Sequence, residues 1–402
     1  MTSILEWLKR LFGKKLFNLE WLRSLFRRSL KFPVSFPTTG WEIIPADDKI
    51  EEEQMPDVDK VNEYCNFAIG DILLSRYQVV GKLGWGTAST VWLVRDLEMD
   101  GYMALKVFSL CALGVEEADF YNLIGRRMPL GESLQDVQNR SVDQRLDKLS
   151  IQLTIYQMLL ALDYLHTECE LIHADIKGDN IFQEIGDETR LDRYVQAEIA
   201  NPTPRKIVFG HPLYRSRPLE SASQLGKIQI GDLGSVQHGD YPREGQFIQP
   251  GFYRAPEVML EKEWNYPVDI WNLAVWAWRA FEGKELFTCK KTGGPDDSIS
   301  IHLAQITGLL GPPPPDFIEP DTVSAKYFDK DGNWILEDCE VQPSSFEDLE
   351  KHLQGEDKEM FLDLMKGMIT WRPEDRKTPR ELIEHPWLQG IFWPPGVYKP
   401  TE

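Results

Sequence analysis

The chain has 402 residues, room for one large two-lobed domain with a tail or for two to three average domains. Its formal net charge of −20 argues against a general nucleic-acid binder; it suits a basic protein or peptide partner, or simple solubility. The five cysteines, Cys65, Cys111, Cys169, Cys289 and Cys339, lack zinc-ligand spacing and read as reduced thiols of an intracellular protein.

Residues 1–31 contain a near-duplication. Leu5-Glu6-Trp7-Leu8 recurs as Leu19-Glu20-Trp21-Leu22, at an offset of 14 residues, so both copies fall on nearly one face of a helix. Eight Lys/Arg against two Glu make the segment basic. The expectation is a basic amphipathic helix for a membrane surface, a transit peptide or a partner groove, or else a tail. No apolar run along the chain approaches the ~18 residues of a membrane span.

Residues 32–76, with Pro33, Pro37, Pro45, Pro56 and the run Glu51-Glu52-Glu53, read as an acidic linker wrapping toward a domain. Strand patterns follow at Tyr77–Val80, Val91–Val94 and Tyr102–Val107. From Leu146 to His166 the apolar spacing is helical, through Leu149, Leu153, Met158, Leu162 and Leu165. Strands first and helices after predict an α+β fold in two lobes.

Several motifs carry chemistry. Gly84-Trp85-Gly86 lies in a turn between two strand patterns, where backbone N–H groups approach triphosphate oxygens closely; a plain hairpin would also use glycine there. Lys106, 15 residues beyond Val91, sits on an apolar strand, which favours an anionic partner for its ammonium or an edge facing water. His173-Ala174-Asp175-Ile176-Lys177-Gly178-Asp179-Asn180 combines a carboxylate, a cation and a neutral amide. Phosphoryl transfer needs those three: an acceptor for a hydroxyl proton, a partner for the γ-phosphate and an oxygen ligand for Mg²⁺. Asp232-Leu233-Gly234 puts a second carboxylate at a strand end, and Ala255-Pro256-Glu257 follows. Each piece alone also reads as a polar loop.

Taken in order, Gly84-x-Gly86, Lys106, His173-x-Asp175-x-Lys177-x-x-Asn180, Asp232-Leu233-Gly234, Ala255-Pro256-Glu257, Asp269-Ile270-Trp271 and Arg376 resemble a eukaryotic protein kinase over roughly residues 77–390. Lys177 is the serine/threonine pattern. Finer details are similar to the SR-protein kinases, particularly fungal ones: Lys82-Leu83-Gly84-Trp85-Gly86, Ser89-Thr90-Val91-Trp92, Phe252-Tyr253-Arg254 and His302-Leu303-Ala304. The resemblance implies a bilobal kinase fold with a small, shortened β-rich N-lobe (77–130) and a larger α-helical C-lobe (131–391) that carries an insert at 181–231. It implies ATP and Mg²⁺ as cofactors. Asp175 and Lys177 would be catalytic. Gly84, Gly86, Val91, Ala104, Lys106 and Glu117 would bind ATP, Glu117 by pairing with Lys106. Asn180 and Asp232 would hold the metal, and Arg376 would pair with Glu257 as a buried strut. It also implies Ser/Thr protein substrates, Arg/Ser-rich splicing factors among them. No direct nucleic-acid contact and a monomeric state are expected. So is a location in cytoplasm or nucleus, with mitochondrial or membrane targeting through residues 1–31 as the variant.

The sequence departs from that pattern in three places. Ala174 replaces the usual arginine before the catalytic aspartate, and residues 236–255 contain no Ser or Thr, which predicts no Ser/Thr phospho-switch in that loop. Pro250 stands where a threonine commonly orients the catalytic pair. The 51 residues at 181–231 read as a mostly irregular excursion. From Val107 to Met128 there are 22 residues, where a helix and two strands need roughly 35–40. That predicts a three-stranded ATP lobe with an uncovered flank. The alternative to an active enzyme is then an impaired kinase or truncated gene product acting as a scaffold, and the intact catalytic set favours the enzyme.

Overall fold

A computed structural model describes residues 31–50, 67–108, 131–288 and 295–391, except 46, 87–88, 100, 186, 188, 209, 221–225, 240–242, 244, 246, 320–321 and 390. The expected helix within residues 1–31, the helix carrying Glu117 and the shortening between Val107 and Met128 fall on positions outside the described residues, Lys31, Val107 and Phe108 excepted.

In chain order, strands β1 (Ile72–Leu73), β2 (Tyr77–Gly86), β3 (Ser89–Asp96), β4 (Gly101–Phe108) and β5 (Gly131–Ser133) come first. Helices α1 (Leu134–Arg140) and α2 (Lys148–Thr167) follow, then β6 (Leu171–Ile172), β7 (Ile181–Glu184), α3 (Thr189–Ala200), β8 (Arg205–Val208), β9 (His211–Tyr214), β10 (Ile228–Ile230) and β11 (Gln237–His238). Helices α4 (Pro256–Met259), α5 (Pro267–Glu282), α6 (Pro295–Leu310), α7 (Phe346–Leu349), α8 (Gly355–Met368), α9 (Pro379–Ile383) and α10 (Pro386–Gln389) complete the order. Among the described residues, two compact units divide the chain: Met1–Asp119 with Asp187–Ser221, and Phe120–Gly186 with Ala222–Glu402.

The first unit is built on an antiparallel sheet in the order β1-β2-β3-β4. The three strand patterns at 77–80, 91–94 and 102–107 each fall inside a longer strand. Trp92 pairs with Leu105 and Val94 with Met103, while Val91 pairs with Lys106 and Leu93 with Ala104. Side chains alternate along a strand, so these pairs belong to opposite faces. The face of Trp92, Val94 and Val107 forms a core with Val79 and with Tyr214 of β9, flanked by Phe67 and Ile69. Tyr214 meets Trp92 edge-on at 5.8 Å between ring centroids, an arrangement worth about 0.5–1.5 kcal/mol beyond area burial.

Two expectations are corrected here. The sheet is not limited to three strands, because β1 adds a fourth beside β2 through Ile72↔Gln78 and Leu73↔Tyr77. The insert is not an irregular excursion of the C-lobe. Its ends are strands β7 and β10 of the second unit, and its middle, 187–221, joins the first unit as helix α3 and the β8–β9 hairpin. The physical reason is amphipathicity: Leu191, Tyr194, Val195 and Glu198 recur at helical spacing on one buried face. Residues 31–50 lie along the same unit. Ile43 bridges Arg205 in parallel, and the Arg205 guanidinium lies over the rings of Trp41 at 3.9 Å and Tyr214 at 4.4 Å.

The second unit is mainly helical. Asp147 caps α2 by accepting from Ser150 N at 3.0 Å, and the predicted helix at 146–166 is this one. Helix α5 starts on Pro267 and stops at Gly283, whose φ of +70° only glycine adopts without strain. Nearly all its residues are buried, Trp271, Trp276 and Trp278 among them. An all-round apolar helix of this length belongs in a core. Among the described residues no helix is long and apolar enough to cross a membrane.

Candidate active site

Each unit positions a set of the sequence-selected residues. In the first, Gly84 pairs with Val91 and Val91 with Lys106, so three of the ATP-site candidates form one row across β2, β3 and β4. Ala104 lies two residues from Lys106 on the same strand and therefore on the same face. This is the face opposite the one that Tyr214 covers. Lys106 is half-buried, with its ammonium over the Phe108 ring at 5.0 Å. Glu117, its expected partner, lies outside the described residues.

In the second unit the loop after β6 brings Asp175, Lys177 and Asn180 together. The Lys177 ammonium donates to both Asp175 carboxylate oxygens, at 3.1 and 2.8 Å. The Asn180 amide nitrogen donates to the Asp175 carbonyl and to its Oδ2, each at 2.8 Å. With its N–H side so engaged, Asn180 keeps its amide oxygen as the acceptor, the atom a hard cation uses. Strand pairing adds Asp232 to the group. Ile181 pairs with Ile230, and Gly231 N donates to Asn180 O at 2.9 Å, so Asn180 just before β7 and Asp232 just after β10 end up adjacent. Asp232 takes a left-handed backbone, φ +57°, and accepts from Gly234 N at 3.4 Å. Both donors are oxygens, which suits Mg²⁺. Mg²⁺ is usually held by one or two carboxylates plus phosphate and water.

Three supports were not assigned a role from the sequence. Asp269, in the first turn of α5 and fully buried, accepts from His173 N and Ala174 N, both at 2.8 Å, and meets His166 Nε2 at 2.9 Å. It thereby fixes the backbone just ahead of Asp175, where Ala174 sits at φ +64°. His173 Nε2 lies 3.1 Å from Gly231 O, tying that loop to the segment before Asp232. Gln249, at φ +68°, donates to Val268 O at 3.0 Å and accepts from Ala255 N at 2.8 Å, anchoring the loop that contains Pro250 to α5. The Asp269-Ile270-Trp271 motif was the one signal for the first of these. Tyr253 of the same loop is buried, and burial pushes its hydroxyl up to about 12.

The protein kinase domain family matches residues 112–388. The chain belongs to the protein kinase family. A serine/threonine protein kinase of Aspergillus fumigatus is 36% identical over 401 residues, spanning 91% of this chain and 98% of its own. The serine/threonine-protein kinase SRPK of Physarum polycephalum is 27% identical, spanning 85% of this chain and 92% of its own. The kinase AFC1 of Arabidopsis thaliana is 26% identical, spanning 82% and 74%. A solved kinase domain superposes with a TM-score of 0.62 at 22% identity, covering 82% of this chain and 99% of its own, a likeness of fold alone. The protein is thus a serine/threonine protein kinase, a phosphotransferase of SRPK-like type, with a β-sheet N-lobe and a helical C-lobe. Membership of the family implies ATP, a divalent metal and protein substrates.

Proposed function

We propose that this kinase transfers the γ-phosphoryl group of ATP–Mg²⁺ to serine or threonine hydroxyls of basic, Arg/Ser-rich protein substrates. The observation that carries the reading is the hydrogen-bonded set Asp175–Lys177–Asn180 with Asp232 beside it. Asp175 accepts the proton of the attacking hydroxyl, and Lys177, at 2.8 Å from that carboxylate, steadies the γ-phosphate. Asn180 and Asp232 hold Mg²⁺ through their side-chain oxygens. When bound, the metal neutralises charge on the β- and γ-phosphates. Lys106, on the face it shares with Val91 and Ala104, engages the α/β-phosphates, and Glu117 is its partner. Gly84 and Gly86 bring backbone N–H groups to the phosphates, while Val91 and Ala104 offer an apolar surface to the adenine. The preference for Arg/Ser-rich substrates is supported by the likeness to SRPK and by the net charge of −20.

The test is transfer of radiolabelled phosphate from ATP–Mg²⁺ to an Arg-Ser repeat peptide, with a Glu-Ser peptide beside it. Asp175→Ala should lower kcat by at least 10²-fold, general-base loss alone accounting for 10²–10⁴. Transfer by the unaltered protein that is no greater than by Asp175→Ala would sink the assignment. Equal use of both peptides would sink the substrate class.

A further inference from the structure

Lys82 stands two residues before Gly84 on β2, between two register shifts, Val79/Gly81 and Lys82/Gly84. Such bulges free backbone groups from the ladder and re-aim the strand. At Lys82 the insert supplies partners to both the carbonyl and the ammonium. Its carbonyl accepts from Arg217 N at 2.9 Å and from the Tyr194 hydroxyl at 3.3 Å. Its ammonium, on a residue only 2% exposed, donates to Tyr214 O at 3.2 Å. Three insert residues thus converge on one residue of the strand leading into the glycine turn.

Their own placement is fixed. Arg217 Nε lies 2.9 Å from Glu198 Oε2 and donates to Thr203 Oγ1 at 3.1 Å. Glu198 is itself buried and accepts from Thr203 N at 2.8 Å. Burial pushes the Tyr194 hydroxyl well above its usual range, so it remains a donor. Gly81 shows how close the phenol comes: a Cβ there would sit 2.4 Å from the Tyr194 hydroxyl oxygen. The ammonium contact is made on the back of the sheet, whereas Gly81, which the phenol approaches, pairs with Leu93 on the face of Val91 and Lys106. Trp92 pairs with Lys82 and belongs to the core face, whereas Val91 and Lys106 belong to the other.

We propose that the insert is a positioning clamp on the phosphate-binding turn: Tyr194, Tyr214 and Arg217 hold Lys82 so that Gly84 and Gly86 are preset for the triphosphate. Tyr194 and Lys82 are positioning residues, acting through the strand without touching nucleotide. The proposal rests on the reading above that the glycine turn meets the phosphates. It differs from a simple buttress of the sheet in one respect. A buttress supports every ligand of the lobe alike, whereas the clamp acts only on ligands that carry phosphates.

The test uses the full chain and measures binding of ATP, ADP and adenosine, with KM and kcat for ATP. Tyr194→Phe keeps the ring and removes one hydrogen bond; Lys82→Met removes the ammonium. Tyr102→Phe is the comparison, since its hydroxyl meets Asp192 of α3 at 3.0 Å on the exposed side. Tyr194→Phe should weaken ATP about two- to tenfold, the loss of one net hydrogen bond. ADP should follow, adenosine should stay within about twofold, and KM should rise while kcat at saturating ATP is held. Lys82→Met should shift the same way and decides the matter if Tyr194→Phe does not fold. Tyr102→Phe should change none of these. ATP and adenosine weakening together, or no change with either variant, overturns the clamp. Lys106→Met separates the two readings. If it abolishes ATP binding while Tyr194→Phe and Lys82→Met do nothing, only the clamp fails. If the unaltered chain binds no ATP, or Lys106→Met has no effect, both fail.

Discussion

The pair Arg376–Glu257 makes a stringent stability prediction. Arg376 donates to both Glu257 oxygens at 2.6 Å, and neither side chain is exposed. The guanidinium also donates to Pro267 O at 3.1 Å and Thr370 O at 3.2 Å, and lies over the Trp271 ring at 5.0 Å. The carbonyls and the ring remain when Glu257 is replaced, but they carry no full charge. Glu257→Leu therefore strands a buried cation and Arg376→Met a buried carboxylate, at about 3–5 kcal/mol each. For a unit of this size, at roughly 2–4 °C per kcal/mol, the melting temperature should fall by about 6–20 °C. The double variant leaves no charge behind, so it should cost about 3 kcal/mol less than the sum of the singles. Calorimetry and urea unfolding of the four proteins read this out. Single variants costing under about 1 kcal/mol, or a double variant equal to the sum, would refute the reasoning.

Two further outcomes follow from buried groups and from the loop before α4. Burial, with the neighbouring Glu350 in the same direction, pushes the Glu282 carboxyl up to about 7, against Arg145, Lys358, Lys351 N and the partly exposed His352 ring. The folded state then holds a proton that the unfolded chain releases near 4.5, so this stabilisation is complete below that pH and is lost as pH rises through about 7. Urea unfolding at pH 5 and pH 8 should show about 1–2 kcal/mol of this loss in the unaltered protein and less in Glu282→Gln, solvent near His352 screening the rest; equal slopes would contradict it. Treating the purified kinase with a Ser/Thr phosphatase should leave kcat within about twofold, because residues 236–255 carry no Ser or Thr and Ala174 offers no cation to a phosphate. A larger drop would place a phospho-switch elsewhere in the chain.

The three long strands, the helix at 148–167 and the Arg376–Glu257 strut were all legible in the sequence. Strand and helix period are local, and the strut was implied by the resemblance of the Ala-Pro-Glu motif and Arg376 to those of protein kinases. The catalytic constellation was legible for the same reason. Asp175, Lys177 and Asn180 lie within six residues, so a single loop conformation suffices to join them. Asp232 required only that β7 and β10 pair. The roles of Asp269 and Gln249 were not legible, since a buried aspartate or glutamine has no signature until its donors arrive from another element.

The insert shows the limit most clearly. The expectation of an irregular insert passed over the helical period of Leu191, Tyr194, Val195 and Glu198, and an apolar face does not in any case name the surface that it covers. That choice was made by Gly81, which lets a phenol approach, and by the Lys82 carbonyl, which accepts from Tyr194 and from Arg217 N. The Lys82 ammonium and its partner, the Tyr214 carbonyl, are 132 residues apart in the chain. By itself the sequence determined the chemistry of phosphate transfer, because that chemistry resides in short motifs. Only the tertiary structure decided which lobe the insert serves, because that depends on shape and on polar groups meeting across the fold.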